Sequence, residues 1–181
     1  MKRLSLIFAV LILFISLNAQ FSNSASTPTL FAGGTGEQVI PKIAICNNGN
    51  IYLARFDNAN GGYQVWLQYM DAAGNLLWQN PQGILISNFP QMTWLTEWDL
   101  DVDNLGNAWL TFQDIRTAEV NNVMLYKVDA SGNILLSDSG LALSSDTSTD
   151  FSNMSPLLMC HSSGDVYVAW QRMSTTTEIH L

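Results

Sequence analysis

Basic side chains are scarce. The 181 residues carry seven Lys and Arg against 15 Asp and Glu, a formal net charge of −8. Two of the seven, Lys2 and Arg3, sit at the extreme N-terminus. A chain this acidic repels phosphate backbones, so no nucleic-acid partner is expected. Histidine and cysteine are rarer still: His161 and His180, Cys46 and Cys160. The histidines lack metal-ligand spacing, and neither cysteine stands in a Cys–His pattern, so nucleophilic catalysis by Cys or by Ser–His–Asp has no visible basis. The Gly-rich stretch FAGGTGEQ, from Phe31, lacks the Lys-Ser/Thr ending of a phosphate-cradling loop. Beyond the first 20 residues no segment sustains a 3.6-residue apolar period, which argues against helix.

Long apolar runs are also missing. The longest, Leu4 to Leu17, is broken by Ser5 and Ser16 and falls short of the roughly 20 residues of a spanning helix. Lys2-Arg3 precede it, and Asn18-Ala19-Gln20 with the polar FSNSASTPT follow. This layout predicts a signal peptide over 1–20, cleaved near Ala19 or Gln20, with a retained anchor as the alternative. Cleavage leaves no stable membrane insertion and puts the chain outside the cell, secreted or on the outer surface. Residues 21–38 are a polar lead-in. An oxidising compartment permits a disulfide, but Cys46 and Cys160 hold nearly equivalent positions two repeats apart and read as separate buried thiols.

The sequence that is there repeats itself. PKIAICNNGNIYLARFD from Pro41, WDLDVDNLGNAWLTFQD from Trp98 and SPLLMCHSSGDVYVAWQR from Ser155 align on Gly49, Gly106 and Gly164, spaced 57 and 58 apart. VWLQYMDAAGNLLW and VMLYKVDASGNILL align on Gly74 and Gly132, and PQGILIS echoes DSGLALS through Gly83 and Gly140. One period kept by three landmarks identifies a repeat protein. Each unit reads as β-branched and aromatic runs bounded by Gly, Asn, Asp and Ser. In the first unit strands are predicted near 42–46, 50–56, 64–71 and 75–79, with a short extra strand near 84–87. MDAAGNLLW then becomes the hairpin between a unit's last two strands: Asp71, Gly74 and Asn75 return as Asp129, Gly132 and Asn133, and Trp78 becomes Leu136, apolar filling.

The predicted fold is all-β, with β-propeller-like blades of four antiparallel strands. It is incomplete, about two and a half units: 39–95, 96–153 and 154–181. A β-sandwich needs about 100 residues per module, longer than this period. Because a propeller needs more blades, the expected partners are the remaining blades of a longer chain, or self-association if the chain is complete.

These units resemble the propeller-like repeats of large secreted and surface proteins of Bacteroidetes-type bacteria. The likeness runs through Pro41, Gly49, Phe56, Asp57, Gln68, Asp71, Gly74 and Trp78. It continues through Gly106, Phe112, Asp114, Arg116, Asp129 and Gly132, then Pro156, Gly164, Trp170 and Arg172. A leader ending NAQ is similar to those of the same bacteria. The resemblance implies export, often through type IX secretion directed by a C-terminal sorting domain, and specifies no activity. The Asp-box of sialidase propellers, S-x-D-x-G-x-T-W, is not matched.

Candidate chemistry is sparse. Asp99, Asp101 and Asp103 alternate before Gly106 and suggest a calcium site, since alternate strand residues share a face and calcium takes oxygen ligands. The competing reading is a solvated strand end at a turn. Asp57, Asp114 and Glu97 are the carboxylates considered for acid–base catalysis. Asp57 and Asp114 hold equivalent positions, which suits a scaffold role. Arg55, Arg116 and Arg172 are the cationic candidates. Six tryptophans offer stacking surfaces. Trp109 and Trp170, like Phe56 and Phe112, fall at strand positions read as shared between units and as core. Trp94 and Trp98 flank the least repetitive stretch and are the ligand-binding candidates. The leading expectation is a noncatalytic exported module that binds or displays a glycan or a surface protein. The alternative is the N-terminal blades of a secreted glycoside hydrolase-like propeller enzyme.

Overall fold

Asx turns set the spacing of the chain. Asp71, Asp103 and Asp129 each accept two backbone N–H groups through Oδ1, from the residues two and four positions on. Their Oδ2 atoms accept the Nδ2 of Asn75, Asn107 and Asn133 at 2.9 Å in every case. A carboxylate that satisfies its own turn's donors fixes the reversal locally; the Asp103 turn joins two strands, whereas the Asp71 and Asp129 turns each end a strand and lead to a single isolated bridge.

The computed structural model describes residues 26, 30–91, 97–174 and 176–181. Eleven strands follow one another: β1 Gln38–Ile45, β2 Ile51–Asp57, β3 Tyr63–Met70, β4 Ile84–Gln91, β5 Asp99–Val102, β6 Ala108–Thr117, β7 Val120–Val128, β8 Leu141–Ala142, β9 Ser152–Cys160, β10 Val166–Met173 and β11 Thr177–His180. They form antiparallel sheets in chain order, β1-β2-β3-β4, β5-β6-β7-β8 and β9-β10-β11. No helix occurs among the described residues, and none is long and apolar enough to cross a membrane. All eleven strands lie in the unit Phe31–Leu181.

The sheets stack face to face. Tyr52, Ala54, Phe56 and Leu67 on the leading face of the first sheet share one core with Leu100, Ala108, Leu110, Phe112 and Tyr126 on the trailing face of the second. Val123 and Leu125, with Trp109, face Leu158, Val166, Val168 and Trp170 of the third. The first strands adjoin in succession, β1 with β5 and β5 with β9. Polar bonds cross the same interfaces. The Tyr52 hydroxyl donates to Gly106 O at 3.0 Å, and the Trp78 indole donates to Ala130 O at 3.0 Å.

Two sequence expectations need correction. The run at 75–79 is not a strand: after the Gly74 turn, Leu76 makes one isolated bridge to Met70. The fourth strand is β4, and the segment at 84–87 is its start rather than a minor extra. Trp78 turns away into the core, buried against Tyr52 and Tyr69 as apolar filling. Trp109 and Trp170 are also not equivalent. They belong to opposing faces of one interface, and Phe112 is the true counterpart of Trp170.

Candidate functional site

Each unit sets one arginine against a carboxylate and a phenylalanine; Arg55 is buried, while Arg116 and Arg172 are half-buried. Arg55 donates to the Gln82 carbonyl at 3.2 Å and its Oε1 at 2.6 Å, and pairs with Asp57 at 3.5 Å. Arg116 pairs with Asp114 and donates to Ser139 O and to the Tyr126 hydroxyl. Arg172 pairs with Asp146 at 3.1 Å. A phenylalanine that precedes each unit's β-hairpins covers the guanidinium: Phe31 over Arg55, Phe89 over Arg116 at 4.0 Å and Phe151 over Arg172 at 3.9 Å. Gln82 and Ser139 lie just before Gly83 and Gly140, so the PQG and DSG echo is the loop whose carbonyl holds the arginine. The three arginines are spread over three clamps and do not form a cluster. Burial pulls the Arg55 pKa below its ordinary value, with Asp57 opposing. At Arg116 burial also pulls down, but hydrogen bonds to Asp114 and Tyr126 prevail and raise it.

A pocket of about 180 Å³ opens beside the first clamp, lined by Trp66, Asp57, Asn60, Gln64 and Gln82 with the backbone of 33–35. Trp66 and Gln64 lie on β3 and pair with Arg55 and Asp57 on β2, so one face of the hairpin presents all four. Asn60 Nδ2 donates to Gln64 Oε1 at 3.0 Å, and Gln82 Nε2 donates to Gly33 O at 3.2 Å. Behind them, Arg55 Nε is buried with no hydrogen-bond partner. A partly exposed indole beside amides and a carboxylate offers what a sugar ring needs: an apolar platform and donor–acceptor groups at its edge. A second cleft, about 420 Å³, opens between β4 and the second sheet beside the Arg116 clamp. Its polar lining is mainly serine, Asn88 and Asp138, and its aromatic rings are Phe89 and the buried Tyr126.

The residues singled out from sequence are placed elsewhere. Trp98 is 1 % exposed, stacked on Phe56 at 4.7 Å, with its indole donating to Ile40 O at 3.0 Å. Its ring is core between two sheets and has no free face for a ligand. Trp94 lies outside the described residues. Asp99 and Asp101 on β5 accept the backbone N–H of Leu158 and Cys160 on β9, at 3.0 and 2.7 Å. Asp103 accepts from Asn107, from the Trp109 indole at 3.0 Å and from Lys127 at 3.2 Å. Burial opposes its ionisation, yet these bonds prevail and hold its pKa at about 2. The aspartate triplet therefore joins sheets and caps a turn. Among the described residues no group of three or more His, Cys, Asp or Glu is placed to hold a metal ion.

Glu97 is exposed and pairs with Lys42 at 3.6 Å. Asp57 and Asp114 serve their clamps. Cys46 and Cys160 are both free thiols. Burial, then the nearby Asp101 and Asp103, push Cys160 up to about 12, so it stays protonated at neutral pH.

The signal for the pocket was present in the repeat. Trp66 stands where the second unit has Met124, and Gln64 where it has Asn122. A large aromatic confined to one unit at a shared strand position marks a departure from the scaffold. No known protein family, curated protein or solved structure matches the chain.

Proposed function

We propose that this chain is an exported, noncatalytic repeat module whose sheets are blades of a propeller-like array, and that it binds a glycan through the Trp66 pocket. The adjoining first strands and face-to-face sheets support the blade reading, as does the resemblance to secreted Bacteroidetes-type repeats. The basic head and short apolar run at the N-terminus support export to the medium or the outer cell surface. The observation that carries the binding reading is the Trp66 indole set among Asp57, Asn60, Gln64 and Gln82.

An enzymatic role draws less support. Glycoside hydrolysis uses two carboxyl groups about 5 to 9.5 Å apart. One carboxylate, Asp57, lines this pocket, and it faces Arg55 at 3.5 Å.

Binding to an array of soluble oligosaccharides, followed by calorimetry on the hits, tests the reading. Trp66→Ala should abolish binding while leaving the circular dichroism spectrum unchanged. Leu105→Ala, at an exposed turn position, should leave binding intact. A wild-type chain that retains no saccharide, or a Trp66→Ala chain that binds as well as wild type, defeats it.

A further inference from the structure

The pocket beside the first clamp is small. Its volume of about 180 Å³ falls below the roughly 300 Å³ at which sites for drug-sized ligands begin. One pyranose ring fills such a space, and a second would lie in solvent. Among the described residues no Lys, Arg or His lines it. Its carboxylate, Asp57, is 6 % exposed and already engaged. Oδ1 accepts the Ala59 N–H at 2.9 Å, Oδ2 accepts from Gln38 Nε2 at 3.4 Å, and Arg55 stands 3.5 Å away. A ligand carboxylate would meet Asp57 in a chain of net charge −8. A ligand ammonium would find the charge of Asp57 balanced by Arg55.

Few hydrogen-bonding groups in the pocket remain open. Gln82 is held at both ends: its Oε1 accepts from Arg55 at 2.6 Å, and its Nε2 donates to Gly33 O at 3.2 Å. Gln64 Oε1 accepts from Asn60 Nδ2 at 3.0 Å and from the Trp66 indole at 3.4 Å. Gln64 Nε2 and Asn60 Oδ1 bond to no described residue, and they are a donor and an acceptor on two amides already joined. A hydroxyl both donates and accepts, so two neighbouring hydroxyls on one ring answer this pair. In the second unit the same position is closed. Asn122 stands where the first unit has Gln64, and its own unit fills its amide. Nδ2 donates to Val120 O and Asp146 O, and Oδ1 accepts from Ser144 Oγ and the Asp146 N–H. The Trp66 indole, with its N–H on Gln64, offers a ligand its ring.

We infer that the pocket takes a single uncharged sugar ring, recognised through a pair of adjacent hydroxyls with the apolar face of the ring on Trp66. One hydroxyl accepts from Gln64 Nε2, its neighbour donates to Asn60 Oδ1, and the rest of the saccharide stays in solvent. This rests on the glycan reading of the same pocket and narrows it in two respects. The ring is neutral rather than acidic or amino, and one ring is bound rather than a run of them. Added length then brings no new contacts, and a charge on the ring lowers affinity.

The test is calorimetry of the full chain with methyl glycosides of glucose, galactose and mannose. Their uronic acid and 6-amino-6-deoxy counterparts, and short oligomers of the sugar that binds, complete the series. No oligomer should bind more than about threefold better than the best methyl glycoside, and both charged counterparts should bind at least about tenfold more weakly. Gln64→Glu keeps the acceptor that Asn60 and Trp66 use and replaces the amide donor. It should weaken the neutral glycoside at least about tenfold, with the circular dichroism spectrum unchanged. An affinity that climbs more than about tenfold with chain length overturns the inference. So does a uronic acid or amino sugar that binds as tightly as the neutral ring, or a Gln64→Glu chain that binds like wild type. If any of these occurs while Trp66→Ala still abolishes saccharide binding, the pocket reading stands and the single neutral ring falls. A wild-type chain that binds no saccharide removes both.

Discussion

At the scale of single residues, the backbone leaves some positions no latitude. Gly140 has φ 76°, and a Cβ there would meet the Tyr126 ring at 2.5 Å. Gly83, its counterpart at φ 84°, would place a Cβ 2.1 Å from Leu67 O. Gly140→Ala is therefore expected to destabilise by roughly 2 kcal/mol or more, read as a lower denaturant midpoint, because it adds both a clash and a left-handed residue with a side chain. Asp103 gives a prediction in pH. Its folded pKa of about 2 lies below the ordinary 3.8, so the native state favours the carboxylate. That contribution is fully present above pH 4 and is lost as pH falls through about 4 toward 2. It amounts to at most about 2.5 kcal/mol. Asp103→Asn should flatten the acid limb of the stability curve in that window; an unchanged limb would show the carboxylate to be idle. Trp98 and Trp66 should separate cleanly. Trp98→Ala should cost about 3 to 5 kcal/mol, as expected for a buried indole, whereas Trp66→Ala should leave stability nearly unchanged.

At the scale of elements, the repeat of strands was legible because its turns are written locally: Asp-x-x-Gly-Asn names a chain reversal at 71–75, 103–107 and 129–133. The last strand was not, because two candidate runs follow Gly74 and local composition does not say which returns to β3. The choice is made by packing, since Trp78 leaves the sheet for the core between units and β4 takes the edge. The register step in β1 was hidden for the same reason. Ile40, just before Pro41, adopts φ 43° at a bulge and turns its carbonyl to the Trp98 indole. Ser155, before Pro156, has φ 54° at the bulge in β9, and its N–H donates to Gln113 Oε1 on β6 at 3.1 Å. Each strain is held by a partner on another sheet that no local reading contains. The site shows the same division. Trp66 was passed over for Trp94 and Trp98, although its repeat has Met124 at that position, and Gln82 and residues 33–35 reach the pocket from distant sequence. The arginine clamps tie these elements together, and the planar fork does what a point charge cannot. Arg116→Lys should cost roughly 1 to 3 kcal/mol through the hydrogen bonds to Asp114, Tyr126 and Ser139 that it abandons. A thermal melt no lower than wild type would show the clamp to be dispensable.

At the scale of the whole molecule, the net charge of −8 disperses copies and works against association. The arrangement of three sheets has a further consequence, for motion. The middle sheet is covered on both faces and each outer sheet on one. In a linear array the stability of a unit is its own plus that of its neighbours, so opening should begin at the ends. Backbone amides of β6 and β7 should exchange with solvent most slowly, and those of β10 and β11 most quickly.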